Sequence, residues 1–123
     1  MTDQSNQHEK INYIELPASD IDAVKAFFIQ VFNFKFTDYG PEYSAFSAES
    51  AGLEGGFFKA PLSASTHLGS ALIVFFSNKL EETMAKVEAA GGDINKPIFQ
   101  FPGGRRFHFL DPCGNEWAVW ADK

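Results

Sequence analysis

Cysteine is almost missing: Cys113 is alone among 123 residues, which excludes an internal disulfide and fits a reducing, cytoplasmic setting. A chain of this length buries a core without such staples. No His or Arg adjoins Cys113 to depress its thiol pKa, so it reads as a tolerated turn residue rather than a nucleophile. Basic residues are also few. Ten Lys and Arg against sixteen Asp and Glu leave a net charge of −6, and only Arg105-Arg106 stand together. With no basic stripe to track a phosphate backbone, nucleic acid is not an expected partner. No apolar run nears the ~20 residues of a membrane span, and Met1 to Glu9 lacks the basic-then-apolar order of a leader, so no membrane partner is expected either. The glycine pairs Gly55-Gly56 and Gly103-Gly104 do not open a helix after a strand, which removes a phosphate loop, and no Ser sits in an elbow motif.

Phenylalanine, by contrast, is abundant, with 14 in a chain that is 45% hydrophobic. That suits a well-packed core and also the lining of an apolar cavity, for which Phe46, Phe57 and Phe75 are candidates.

The order of elements is legible from periodicity. Met1 to Glu9 has no apolar pattern and reads as a mobile tail. Lys10 to Leu16 alternates as a strand that Pro17 should end, and Ser19 or Asp20 can cap a helix striped by Ile21, Val24, Phe27, Phe28 and Val31 up to about Asn33. Three short strands follow at residues 35–39, 43–49 and 53–59, separated by Gly40-Pro41 and Ser50-Ala51-Gly52. A small, polar connector spans 60–69. The order then restarts with a strand over 70–76 and a helix opened by an Asn78–Glu81 capping box and closed by Gly91-Gly92. Strands at 93–100, 105–110 and 116–120 complete it, the last two joined by the tight turn Asp111-Pro112-Cys113-Gly114-Asn115. Strand, helix and three strands thus occur twice, in module one (10–59) and module two (70–123), with Tyr13–Asp20 matching Ala71–Asn78 at an offset of 58.

The stretches Ile11 to Asp20, Lys86-Val-Glu-Ala-Ala-Gly-Gly92 and Leu110-Asp-Pro-Cys-Gly-Asn115 resemble the vicinal oxygen chelate superfamily of glyoxalase I, bleomycin-resistance proteins and extradiol dioxygenases. The resemblance covers residues 10 to 122. It implies an α+β fold of two tandem βαβββ modules whose curved mixed sheets form a cup, commonly completed by a homodimer. In the family's enzymes one residue from each of four equivalent strands, usually His, Glu or Gln, binds a divalent metal. Carried over, those positions fall on Tyr13, Gly56, Ala71 and Ala118. Ala and Gly offer no side-chain donor, and Tyr, with a pKa near 10, is a poor ligand. No metal or other cofactor is therefore expected, with a divalent ion in a rebuilt site as the alternative.

Other residues supply a candidate ligand-binding set. Alternation places Phe107 and Phe109 on the face that packs against a helix, which aims Arg106 and His108 into the implied cup, where Tyr13, Glu15, Glu116 and Trp120 would join them. His8 and His67 read as solvated. The reading is a metal-free small-molecule-binding protein of the glyoxalase and bleomycin-resistance type, holding an apolar or aromatic ligand. The alternative is an enzyme of the superfamily, a lyase, isomerase or dioxygenase-like protein, with a divergent metal site or a Glu15/His108 acid–base pair. No catalytic residue is assigned from the sequence.

Overall fold

Two sheets and one shared core position everything else. The structure, a computed structural model, describes residues 4–123; the first three residues of the expected tail lie outside the described residues, and Ser5–Gln7 form a 3₁₀ turn. Strand β1 (Tyr13–Ala18) leads into helix α1 (Ile21–Phe32), then β2 (Phe36–Asp38), β3 (Tyr43–Phe46), the one-turn helix α2 (Ala48–Ala51) and β4 (Glu54–Lys59). Module two repeats the order with β5 (Ile73–Phe76), α3 (Leu80–Ala89), β6 (Asp93–Phe101), β7 (Gly104–Leu110) and β8 (Glu116–Ala121). The sheets run β1-β4-β3-β2 and β5-β8-β7-β6, each with one parallel pair, β1 with β4 and β5 with β8.

Several boundaries differ from the sequence expectation for identifiable reasons. Pro17 does not end β1 but pairs with Phe58, because β1 is an edge strand and its missing N–H costs no ladder bond. The strand expected over 43–49 stops at Phe46, where the Ser47 hydroxyl accepts from Ser50 N and starts α2; Gly52 ends it at φ +94°. Helix α3 begins one residue later than the capping box implied. Its N-cap is Lys79, whose N–H bonds Ser77 Oγ at 3.0 Å, while Glu81 turns outward to Arg105. Asp20 does cap α1, accepting from Ala23 N at 3.1 Å.

The helices also correct the repeat. The N-caps Asp20 and Lys79, and the buried pairs Ile21 and Leu80, Val24 and Thr83, and Phe28 and Val87, are each 59 apart rather than 58. One residue matters here, because a slip of one in a strand exchanges its two faces.

Helix α1 packs against both sheets at once. The fully buried Phe28 ring stacks on Phe57 of β4 at 5.6 Å and meets Phe75 of β5 and Trp117 of β8 at 6.4 and 4.8 Å. Phe46, Phe57 and Phe75 all serve this core, and Phe46 and Phe75 also line a cavity between β1 and β5. The Asp111–Asn115 turn adds a polar tie: Asn115 Nδ2 donates to Pro17 O at 2.7 Å, and Cys113 Sγ donates to Asp20 O at 3.3 Å. Asp111 accepts from Cys113 N, Asn115 N, Asn115 Nδ2 and Trp117 Nε1, all within 3.1 Å. Among the described residues, no helix is long and apolar enough to cross a membrane.

Because Phe28 belongs to both modules' packing, Phe28→Ala is expected to lower unfolding free energy by about 3–5 kcal/mol in chemical denaturation, through one cooperative transition. Two separate transitions would contradict a common core.

Candidate functional site

With their helix-bearing faces turned to the common core, the sheets leave two helix-free faces. On the first, Tyr13 and Glu15 of β1 alternate outward and meet Tyr43 of β3. Tyr43 donates to Glu15 Oε2 at 2.9 Å, which leaves Tyr13 to donate to the Tyr43 oxygen across 2.5 Å. Burial first, then the hydrogen bonds with Tyr13 and Glu15, push the Tyr43 hydroxyl far above its ordinary pKa, so it stays protonated.

On the second face, the antiparallel register sets Arg106 opposite Trp120, His108 opposite Ala118 and Leu110 opposite Glu116. The expected alternation of β7 holds: Phe107 and Phe109 are buried in the core, and Arg106 and His108 lie on the other side. His108 is 2% exposed and its Nδ1 lies 2.9 Å from Glu116 Oε2. The other carboxylate oxygen of Glu116 accepts from Thr66 N at 2.9 Å and Thr66 Oγ1 at 2.7 Å. Burial pushes the Glu116 carboxyl up, but the bonds from His108 and Thr66 outweigh it and hold the pKa at about 2. The carboxylate is thus ionised near neutrality and can only accept, so His108 Nδ1 carries the proton. His108 Nε2 and Arg106 Nε are both buried without a partner. The Arg106 guanidinium lies over the rings of Phe99 and Phe101, 5.3 and 5.5 Å from their centroids, and Trp120 meets Phe101 and Phe76 edge-on.

The six expected residues therefore fall into two groups. Tyr13 and Glu15 come together around Tyr43; Arg106, His108, Glu116 and Trp120 come together on β7 and β8. No hydrogen bond or ion pair joins Glu15 to His108, because each carboxylate is satisfied within its own sheet. Tyr43, Thr66, Phe99 and Phe101 were not singled out from the sequence. Tyr43 carries a signal in retrospect, since it alternates with Ala45 opposite the small residue Gly56. His67 is exposed in the Thr66–Leu68 turn, and His8 pairs with Glu9 at the surface.

Between β1 and β5, on either side of Ile14 and Ile73, lie two open cavities of about 510 and 520 Å³. The first is lined by Phe34, Phe46, Phe76 and Trp117 among others, and Phe76 links it to the Trp120 side of the second face.

A family model describing the Glyoxalase/Bleomycin resistance protein/Dioxygenase superfamily matches residues 10–119. The chain belongs to this superfamily. Its fold is similar to that of a superfamily enzyme from Burkholderia phytofirmans PsJN, at 18% identity and a TM-score of 0.74 over 91% of this chain and 98% of that one. It is also similar to the fosfomycin resistance protein FosX of Listeria monocytogenes in a complex with Mn(II) and sulfate, at 20% identity and a TM-score of 0.75 over 92% and 90% of the two chains. A third likeness is to lactoylglutathione lyase from Agrobacterium tumefaciens, at 19% identity and a TM-score of 0.68 over 92% and 93%. No curated protein matches the chain.

The superfamily's metal does not fit the residues present. Ile73 and Phe75 pack against the core as Ile14 and Leu16 do, so the residue equivalent to Tyr13 is Leu72 rather than Ala71. The relevant positions are then Tyr13, Gly56, Leu72 and Ala118, of which only Tyr13 has a side-chain oxygen, and that oxygen is engaged with Tyr43. A Cβ added at Gly56 would fall 2.6 Å from Tyr43 Cζ, so the tyrosine fills the space a longer side chain would need. Among the described residues, no group of three His, Cys, Asp or Glu side chains is placed to hold an ion.

The low pKa of Glu116 sets a pH dependence. Its folded value of about 2 lies below the ordinary 4.5, so its contribution is complete above the ordinary value and is lost as pH falls toward 2. Thermal melts of Glu116→Gln are expected to lose part of the wild-type fall in Tm over that acid window; parallel curves would contradict the assignment.

Proposed function

We propose that this superfamily member is a metal-free small-molecule-binding protein that holds an apolar or aromatic ligand on the helix-free face of module two, in the cytoplasm. The observation that carries the reading is the loss of usable donors at Tyr13, Gly56, Leu72 and Ala118, with Tyr43 filling the space at Gly56. Without a donor set, polarisation of a substrate oxygen by a bound cation has no support in these side chains. What this face offers instead is a guanidinium, an imidazole and aromatic surface, the mixture of apolar wall and few polar anchors typical of ligand sites. The Mn(II) of the Listeria relative belongs to that protein.

A second reading, a superfamily enzyme working by acid–base chemistry, is favoured by one observation. His108 is oriented by a buried, ionised Glu116, as a general base must be oriented. In that reading Glu116, not Glu15, is the partner of His108.

The working form we propose is a homodimer. Phe76 is 51% exposed and Tyr13 44%, and a second copy would cover that apolar surface.

Protein purified without chelator is expected to contain far less than one Zn, Ni, Mn or Fe per chain by elemental analysis. One tightly held ion per chain overturns the metal-free reading. Sedimentation is expected to give the mass of two chains, and Phe76→Asp to shift it toward one chain with the fold retained. A monomeric wild-type protein would reject the dimer.

A further inference from the structure

Two nitrogens on one strand face are buried and unbonded, and among the described residues no other buried side-chain nitrogen or oxygen is so placed. They are Nε2 of His108 and Nε of Arg106. The two residues are alternate members of β7, so their side chains are neighbours on the same side. Such atoms forfeit the hydrogen bonds they made with water in the unfolded chain, which marks the spot as unfinished.

Their chemistry differs. Arg106 Nε can only donate. His108 Nε2 accepts, because Nδ1 carries the imidazole proton and gives it to the ionised Glu116. A donor beside an acceptor matches a group that is both, and a hydroxyl is that group. The surroundings are flat and apolar: Phe99 lies 5.9 Å from the His108 ring, Phe101 lies under Arg106, and Trp120 is directly across from Arg106.

We infer that this face takes a ligand with an acidic hydroxyl on a flat apolar ring, a phenol or an enol, and holds it as the anion. The inference rests on the reading of this face as a small-molecule site. On binding, the ligand O–H bond breaks and its proton forms a bond with His108 Nε2; the electron pair stays on the ligand oxygen. That oxyanion accepts from Arg106 Nε and from the new Nε2–H, and the imidazolium keeps its Nδ1–H on Glu116. Total charge is unchanged, and no other reactant is needed. The charged groups that face the imidazole are Glu116 on β8, Arg106 on the same strand and Lys96, paired with His108 on β6; the two cations favour the ligand oxyanion. His67, in the turn that holds Glu116, is exposed.

The test uses 3-nitrophenol, whose anion alone absorbs visible light, added to the full chain at neutral pH, below the phenol's own pKa and above the ordinary pKa of an imidazole. Thermal shift reads binding and the phenolate band reads ionisation. The expected result is a raised Tm together with roughly tenfold more phenolate absorbance per bound probe than per free probe, the effect of about one unit of pKa. His108→Gln is expected to keep a Tm shift and lose the band, and Arg106→Gln to weaken both. A Tm shift without the band overturns the proton transfer and leaves the small-molecule reading standing; neither signal counts against both. A band of equal strength in His108→Gln also overturns it. ¹⁵N spectra of the unmutated protein give an independent check, with Nδ1 protonated and Nε2 bare before the probe is added; the opposite tautomer overturns the inference.

Discussion

The constraint on which this molecule depends is the burial of one helix between two sheets. Phe28 touches Phe57 of the first sheet and Trp117 of the second, and around it Phe27, Phe32, Phe34, Phe75 and Phe109 form a continuous set of ring contacts. A sheet can pack only one of its faces against a given core. Once both modules have turned their helix-bearing faces to α1, the opposite faces must carry whatever chemistry the protein performs. The division of the polar side chains into a tyrosine–carboxylate cluster and an arginine–histidine–carboxylate cluster follows from that choice.

Much of this was legible in the chain. The alternation of Arg106, Phe107, His108 and Phe109 was enough to tell which of them face the core, because period-two patterning in a half-buried strand has few exceptions when one face is aromatic. The doubled strand–helix–strands order likewise gave the two modules, and the resemblance of Ile11–Asp20, Lys86–Gly92 and Leu110–Asn115 gave the superfamily. One slip bears on the site. The Asn78–Glu81 capping box was matched to the Asp20 cap, so module two was aligned one position early and Ala71 stood where Leu72 belongs. Both lack a donor, and the argument against the superfamily's ion is the same with either. The site was less legible than the fold. Sequence spacing puts Glu15 and His108 on helix-free faces but cannot say that the faces belong to different sheets with separate hydrogen-bond networks.

The two clusters also show how a scaffold can keep its form while its electrostatics change. In module one, Gly56 leaves room that Tyr43 occupies, and the resulting Tyr13–Tyr43–Glu15 chain satisfies its own polar atoms. In module two, Ala118 is small and buried, and the neighbouring His108 is held from one side only. One network is closed and the other has open valences. That asymmetry, more than any single residue type, is why the second face is the better place for a ligand.

The outermost strand of the second sheet has a further consequence. Strand β6 carries Pro97 and shifts its register against β7 between Asp93 and Lys96 and again between Lys96 and Phe99. An interrupted, proline-bearing rim is a poor template for a foreign strand. Phe99 and Phe101 can therefore remain on the sheet's margin, beside Arg106, without that margin seeding fibrous stacking when the protein is concentrated.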